Sequence, residues 1–257
     1  MVLPAALRTR IRSVVLDRVE VKVATAVVAP AAIVTRKDFV DFEEMVPLQV
    51  IVVGTGVGAG VGTGVVEQAA VEALGKVEAR ALDGGVLAIQ GPPGTGKTFT
   101  GAHLIVALVK AGKRVGVTAT AHKVIGNLLD EVAEVARQQD VPLVIGQKPS
   151  TDGEPTHKPA RNLRSAKDVA TMLGLGVVQV VGGTAWTWAH DAVRDALDVL
   201  VVDEAGQMSL ANAVAVSGAA RSLILLGDPR QLEQPIQGLH PPGADAAALE
   251  QIGRALV

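Results

Sequence analysis

From about residue 85 onward, hydrophobic and polar positions follow two different patterns. Short runs rich in Val, Ile and Leu predict buried strands, whereas apolar positions three or four residues apart predict helices. The predicted strands are residues 86–90, 114–119, 143–146, 177–182, 199–203 and 223–227. The predicted helices are residues 97–110 and 122–138. Strands that alternate with helices are typical of βαβ units, so we predict an α/β fold with a parallel sheet flanked by helices.

Two stretches do not follow this alternation. Residues 147–164 are rich in Pro, Lys, Ser and Thr, which predicts an exposed loop. Residues 1–80 repeat Val, Ala and Gly without a clean helical face or clear turns, so we leave their fold unassigned. They form either an accessory domain that precedes the main domain or a disordered leader.

The glycine repeat in the first 80 residues resembles two kinds of site that we do not predict. Residues 45–66 carry no charged side chain and are long enough to cross a bilayer. However, glycine occupies every second position from Gly54 to Gly64, and each glycine weakens a helix by about 1 kcal/mol relative to alanine. Any repeat with glycine at every second position superficially matches the dinucleotide-binding pattern GxGxxG, and the acidic residue expected downstream of that pattern is not distinctive here. We therefore predict no membrane span and no dinucleotide site.

Composition narrows the classes of function only a little. The formal net charge is −2 and the sequence pI is about 6.2, so the bulk charge does not indicate a polyanionic partner. Any binding of nucleic acid has to be argued from motifs. The chain contains no cysteine, which excludes disulfides, thiolate metal sites and cysteine nucleophiles. Residues 1–15 lack the pattern of a secretory signal, and we expect a cytoplasmic protein.

A complete phosphate-binding motif follows the first predicted strand. Residues 91–98, GPPGTGKT, fit the pattern GxxxxGK[ST] and lead directly into a predicted helix. Glycines let the backbone curl around phosphate oxygens and point its N–H groups inward, while the start of the helix favours negative charge. Lys97 is expected to reach the β- and γ-phosphates of ATP, and Thr98 to bind Mg²⁺. The predicted nucleotide-binding residues are Gly91, Pro92, Pro93, Gly94, Thr95, Gly96, Lys97 and Thr98.

A second motif delivers two carboxylates at the end of a buried strand. Residues 199–204, VLVVDE, place Asp203 and Glu204 at the carboxyl end of the predicted sheet, where α/β proteins bind ligands. Asp203 suits the Mg²⁺ site, either directly or through water. Glu204 suits a general base that orients the attacking water. The two motifs together predict a P-loop nucleoside triphosphatase that uses ATP and Mg²⁺.

Further residues give a specific resemblance. Residues 203–207, DEAGQ, resemble motif II of superfamily 1 helicases, residues 226–232, LGDPRQL, resemble motif III, and residues 117–129 resemble motif Ia. The resemblance covers about residues 85–257. It is nearest to the superfamily 1B branch, which contains the nonsense-mediated-decay helicase and bacterial proteins that join a RecB-like nuclease to such a helicase. It implies the first RecA-like domain of such an enzyme.

The resemblance implies roles for several more residues. Gln231 would be a catalytic residue that senses the γ-phosphate, and Asp228 would help to couple that sensing to the nucleic-acid site. In motif Ia, Thr118, Thr120 and His122 would contact phosphates of single-stranded DNA or RNA from the start of a helix. The alternative for motif Ia is a threonine that caps the helix and an exposed histidine.

The two tryptophans, Trp186 and Trp188, lie where the family has another segment that contacts nucleic acid. Either one could stack on a base, and the alternative is that both belong to the core.

We therefore expect residues 81–257 to form RecA-like domain 1A and residues 1–80 to be a separate segment. The sequence ends shortly after motif III, and neither a second RecA-like domain with its catalytic arginine nor a nuclease pattern has a counterpart in it. We expect the chain to be the part of a helicase that binds and hydrolyses ATP, and to be incomplete as a motor. We expect no membrane among its partners. Two alternatives stay open, a P-loop ATPase that acts as a nucleotide switch and a nucleotide-binding fragment without catalysis.

Overall fold

The computed structural model of the protein describes residues 49–53, 61–63, 84–91, 94, 96–150, 153–228 and 247–249, the first two ranges by their backbone alone. The strands are β1 (Gln49–Val53), β2 (Val61–Thr63), β3 (Val86–Gln90), β4 (Val115–Thr118), β5 (Ile145–Gln147), β6 (Arg161–Asn162), β7 (Val180–Gly182), β8 (Leu197–Val202) and β9 (Ala220–Gly227). The helices are α1 (Lys97–Lys110), α2 (His122–Gln138), α3 (Ala166–Gly174), α4 (Ala185–Trp188) and α5 (Leu210–Ser217), with a short 3-10 helix at Asp191–Val193.

These strands form one sheet in the order β2-β1-β3-β9-β8-β4-β7-β5-β6. The seven strands from β3 to β6 are all parallel to their neighbours. β1 and β2 extend the sheet beyond β3 in antiparallel fashion. The predicted α/β fold with a parallel sheet flanked by helices is therefore confirmed. β3, β8 and β4, which precede the three main motifs, lie near the middle of the sheet, with β9 between β3 and β8.

Helices cover both faces of the parallel sheet. On one face, α1 and α2 pack on alternate residues of the central strands, among them Ile89, Val117 and Val201. The other face carries two clusters of buried residues. One packs Leu200 against residues of α3 and α4, and the second packs Val202 against Met208, Ala248 and Leu249. A parallel strand buried on both faces needs an unbroken apolar run, which is why the strands read as runs of Val, Ile and Leu.

The stretch of residues 147–164 differs from the predicted exposed loop. It contains the short strand β6, and Gln147 and His157 are buried. The backbone N–H of His157 donates to Oε1 of Gln147, and Nε2 of Gln147 donates to Oγ1 of Thr156. The Thr156 hydroxyl in turn donates to the carbonyl of His122 at the start of α2. These polar groups satisfy one another, so Gln147 and His157 can be buried, and the predicted exposed loop is wrong for these two residues while others of the stretch, such as Lys158, are exposed.

The N-terminal segment contributes β1 and β2 to the sheet, and residues 1–48 lie outside the described part of the chain, as does most of the region from residue 54 to residue 83. Across the parts of the chain that the structure describes, no helix is both long enough and apolar enough to span a membrane.

Candidate nucleotide and nucleic-acid site

The phosphate-binding loop connects β3 to α1 at the carboxyl edge of the sheet. Gly94 and Gly96 have φ angles of 83° and 79°, in the left-handed region that favours glycine. A Cβ built on either residue meets no atom within 4 Å, so backbone conformation rather than crowding requires glycine. The N–H of Gly91 donates to the carbonyl of Gly227 (3.1 Å), which ties the loop to β9. Pro92, Pro93 and Thr95 lie outside the described residues.

Lys97 is the first residue of α1 and folds back over the loop. Its Nζ donates to the carbonyl oxygen of Gly91 at 2.6 Å. Burial lowers the pKa of Lys97, and the nearby negative charges of Asp228 and Asp203 oppose that change. The ammonium group therefore lies within the field of two carboxylates.

Asp203 follows β8 and is only 7% exposed. Its backbone N–H donates to the carbonyl of Thr118 (2.8 Å), which continues the pairing of β8 with β4. Burial raises the pKa of Asp203 to about 6, against the lowering effects of the hydrogen bond from the Glu204 N–H and of the charge on Lys97. The negative charge of Glu204 adds to the rise. A positive ion beside Asp203 would stabilise its charged form.

Glu204 has an unusual backbone for a residue with a side chain. Its φ angle is 53°, in the left-handed region. Its N–H donates to Oδ1 of Asp203 (2.9 Å), and its Oε2 accepts a hydrogen bond from the hydroxyl of Thr120 (3.1 Å). Non-glycine residues in this region cluster at functional sites, where the surrounding structure holds them in place.

The turn after Glu204 packs directly against the end of β9. The N–H of Ala205 donates to the carbonyl of Leu226 (2.8 Å), and a Cβ on Gly206 would lie 2.1 Å from the carbonyl oxygen of Asp228. Only glycine allows this close approach, which brings Asp228 near the loop of Lys97. Sequence reasoning missed the role of Gly206, although a glycine two residues after the candidate Glu204 is a usable signal. Gln231 lies outside the described residues.

The described residues fit a Mg²⁺ ion that arrives with a nucleotide. Thr98 is exposed on the first turn of α1, and Asp203 offers a carboxylate that is largely desolvated. No group of three or more His, Asp or Glu side chains that could hold a metal occurs within the described ranges. Mg²⁺ characteristically binds through one or two protein oxygens, with phosphate oxygens and water completing its octahedron.

Motif Ia lies beside this site but not in the way the sequence predicted. Thr118 is fully buried in β4, between β7 and β8, and its hydroxyl has no hydrogen-bond partner. The prediction that Thr118 contacts nucleic acid is therefore contradicted, because its side chain does not reach the surface. Thr120 is partly buried and faces Glu204.

The helix α2 begins at His122 after the N-cap residue Ala121, which provides no side-chain cap. Thr120 therefore does not cap the helix. His122 is half-buried, and burial followed by the positive charge of Lys148 lowers its pKa. Sequence reasoning missed Lys148, which follows β5 at the same edge of the sheet and carried no motif signal.

The two tryptophans have opposite environments. Trp188 is 1% exposed, and its indole N–H donates to the carbonyls of Val117 (3.2 Å) and Gly183 (3.0 Å). It belongs to the core and cannot stack on a base. Trp186, on the same short helix α4, is 89% exposed. Because α4 follows β7, Trp186 lies at the carboxyl edge of the sheet, where motif Ia also lies.

Comparison with known families gives a match over most of the chain. Residues 68–254 match the family described as AAA domain. The chain belongs to this AAA domain family. Similar curated proteins include the DNA replication ATP-dependent helicase/nuclease JHS1 of Arabidopsis thaliana, 29% identical over 153 residues. Another is the DNA replication ATP-dependent helicase/nuclease DNA2 of Saccharomyces cerevisiae, 31% identical over 149 residues.

Both relatives are much longer than this chain of 257 residues. The aligned part covers 58% of this chain and 11% of JHS1, and 56% of this chain and 10% of DNA2. The chain thus spans about a tenth of the length of both relatives. With the family match, they identify a RecA-like domain of superfamily 1 helicase type, so the expected resemblance to that superfamily is confirmed.

Two solved structures have a weak likeness of fold. A nuclease-deletion mutant of the Type ISP restriction-modification enzyme LlaGI, in complex with a DNA substrate mimic, gives a TM-score of 0.44 at 16% identity, over 74% of this chain and 20% of that chain. The ATP-dependent Type ISP enzyme LlaBIII bound to DNA gives 0.42 at 18% identity, over 62% of this chain and 12% of that chain.

Proposed function

We propose that this domain binds Mg-ATP at residues 91–98 and hydrolyses it in a reaction that single-stranded nucleic acid stimulates. The convergence of Lys97, Asp203 and Asp228 on the phosphate-binding loop carries the proposal. Lys97 and the loop N–H groups bind the β- and γ-phosphates, while Thr98 and Asp203 hold Mg²⁺, which neutralises charge on the phosphates when bound.

Glu204 is the proposed general base. One carboxylate oxygen, Oε2, accepts the hydrogen bond from Thr120, which leaves Oε1 to accept a proton from the attacking water. Gln231 is the proposed sensor of the γ-phosphate. That assignment rests on the resemblance of residues 226–232 to motif III of superfamily 1 helicases.

The proposed nucleic-acid surface runs along the carboxyl edge of the sheet from the start of α2 to α4. α2 begins without a side-chain cap and without an acidic residue in its first turn, so its N–H groups are suited to a phosphate. His122 and Thr120 lie at this point, and Trp186 offers an exposed aromatic ring. The names of both curated relatives refer to DNA replication, which favours DNA over RNA as the ligand.

We further propose that residues 81–257 form the first RecA-like domain and that residues 1–80 are accessory to it. Stepping along a strand needs two grips on nucleic acid whose separation changes with the nucleotide. A catalytic arginine supplied from outside the domain is typically worth about 10³ to 10⁵ in rate. The activity we assign to this domain by itself is therefore ATP binding and slow hydrolysis, not unwinding.

The test compares two variants of the phosphate site with a control. Lys97→Ala is expected to lose measurable Mg-ATP binding by calorimetry. Glu204→Gln is expected to keep the affinity but to lower single-turnover hydrolysis by about 10² to 10⁴, because an amide cannot accept the proton. Lys110→Ala removes a lysine from the far end of α1, where its Nζ donates to Gln139, and should behave as the wild type.

Equal ATP affinity of the wild type and Lys97→Ala would contradict the binding site. Undiminished hydrolysis by Glu204→Gln would place the base elsewhere. A wild-type chain that binds Mg-ATP and responds to nucleic acid without turnover would instead favour the nucleotide switch.

A further inference from the structure

Thr120 lies between the proposed ATP site and the proposed nucleic-acid surface. It belongs to the three-residue connection between β4 and α2, and its side chain turns away from α2 towards the end of β8. There its hydroxyl donates to Oε2 of Glu204 at 3.1 Å. The two residues are 84 positions apart in the sequence. The contact exists because β4 and β8 are adjacent and parallel, so that both connections leave the same edge.

A purely local role for the Thr120 hydroxyl does not explain its position. The N-cap of α2 is Ala121, and the first helical hydrogen bond runs from the N–H of Ile125 to the Ala121 carbonyl. The hydroxyl therefore neither caps nor extends the helix. It is partly buried, where a hydrogen bond to a carboxylate is stronger than at the open surface.

The backbone of Glu204 has a fixed conformation, and one oxygen of its side chain, Oε2, accepts a hydrogen bond from Thr120. The left-handed φ of 53° and the N–H bond to Asp203 set the direction in which the Glu204 side chain leaves the turn. Several rotamers of the long side chain are compatible with that backbone. The hydrogen bond from Thr120 selects one of them and occupies Oε2, which leaves Oε1 for the attacking water of the proposed mechanism.

We propose that Thr120 is a positioning residue for Glu204, which it orients through this hydrogen bond. This inference rests on the proposed function, in which Glu204 is the base. Bases in enzymes are commonly oriented by a third group that takes no part in the proton transfer itself. Here that group belongs to motif Ia, the segment for which the sequence had predicted contact with nucleic acid.

The test measures steady-state ATP hydrolysis by the full chain with saturating single-stranded oligonucleotide. Thr120→Val keeps the shape of the side chain and removes the hydroxyl. We expect kcat to fall about tenfold, the loss typical of one hydrogen bond to a charged group. KM and the calorimetric affinity for Mg-ATP should stay unchanged. Thr120→Ser, which keeps the hydroxyl, should restore most of kcat.

Two further variants separate positioning from a structural effect. In a chain that already carries Glu204→Gln, adding Thr120→Val should lower single-turnover hydrolysis no further, since the base it orients is absent. Thr171→Val is the matched control. It makes the same chemical change on the exposed face of α3, where the hydroxyl donates only along the helix to the Lys167 carbonyl. Thermal unfolding of every variant checks the fold, and Thr120→Ala replaces Thr120→Val if valine unfolds the chain.

Equal kcat in the wild type and Thr120→Val would overturn the positioning role and leave the proposed function standing. A loss that serine does not restore, or that persists in the Glu204→Gln chain, would also overturn it. A wild-type chain that binds Mg-ATP but turns none over would overturn the proposed hydrolysis and the role of Thr120 with it.

Discussion

At the scale of single residues, Asp203 is the group whose surroundings change its chemistry most. Its carboxyl group is nearly buried, and burial raises its pKa from 3.8 to about 6. The folded protein holds this proton more tightly than the unfolded chain does. The protonated Asp203 carboxyl group therefore makes its full contribution to the free energy of unfolding below about pH 3.8. This contribution is lost as the pH rises towards 6. The same carboxylate becomes available to Mg²⁺ in that range.

We therefore predict that the affinity for Mg-ATP falls as the pH drops through about 6, where a protonated Asp203 can no longer bind the ion. Calorimetric titration at several pH values between 5 and 8 measures this. Asp203→Asn is the control, because protonation of the nucleotide itself affects both proteins equally. The difference in affinity between the two should shrink at low pH, and a difference that is independent of pH would contradict the assignment.

The second prediction at this scale concerns Trp186. A base that stacks on its exposed ring should quench the indole emission on addition of single-stranded DNA, while the buried Trp188 should respond little. Trp186→Ala should abolish the quenching and weaken binding by about 1 to 3 kcal/mol, the usual value of one stacked base. Trp186→Phe should retain most of the affinity. An unchanged affinity of the alanine variant would remove Trp186 from the proposed surface.

Local sequence was enough to identify Lys97, Asp203 and Glu204 as candidates, because each lies in a motif with a strand or helix of known direction beside it. It was not enough to distinguish Thr118 from Thr120. Thr118 is the last residue of β4 and Thr120 follows it two positions later, yet Thr118 is buried in the core and Thr120 contacts Glu204. That difference depends on β8, which is distant in the sequence and adjacent in space.

At the scale of secondary-structure elements, the two long helices and the strand β3 were predicted with the bounds that they have, whereas the other predicted strands were not. Helix ends depend on nearby residues, such as Gly96 before α1. Strand ends depend on the pairing partner. β8 and β9 begin earlier than predicted, since Leu197 pairs with Ala220. No local pattern marks that pair.

The packing of residues 153–157 on α2 gives a prediction for this scale. A Cβ on Gly126, within α2, would lie 2.5 Å from Oγ1 and 2.7 Å from Cβ of Thr156, whose hydroxyl is held by Gln147 and His122. Gly126→Ala should therefore destabilise the protein by about 1 to 3 kcal/mol, although alanine is the better helix former.

The matched change is Gly174→Ala at the end of α3, where a Cβ meets nothing within 4 Å. It should be neutral or stabilising. Urea unfolding measures the free energy of unfolding of both variants. Equal values would show that residues 153–157 can move away from α2 without loss of stability.

At the scale of the whole molecule, the sequence predicted the parallel sheet but not its extension by β1 and β2. The run QVIVV of β1 is itself rich in Val and Ile, but it stands directly before the glycine repeat of residues 54–64, which has neither a helical nor a strand period. The pairing of Gln49–Val53 with Val86–Gln90 is a tertiary contact that only the partner strand reveals. The described phosphate, metal and nucleic-acid candidates all follow residue 84, so the extension lies beside the site without supplying a residue to it.

This arrangement predicts two separate outcomes for a chain that begins at Arg80. Its affinity for Mg-ATP should equal that of the full chain, because the loop, Lys97, Asp203 and Glu204 keep their neighbours on β9, β8 and β4. Its stability and solubility should fall. Removal of β1 takes away five residue pairs along β3 and exposes the hydrogen-bonding groups of that strand, and open strand edges promote association. Calorimetry with Mg-ATP measures the first outcome, and thermal unfolding with size-exclusion chromatography measures the second. A folded, monomeric short chain that fails to bind ATP would show that residues before Arg80 take part in the nucleotide site.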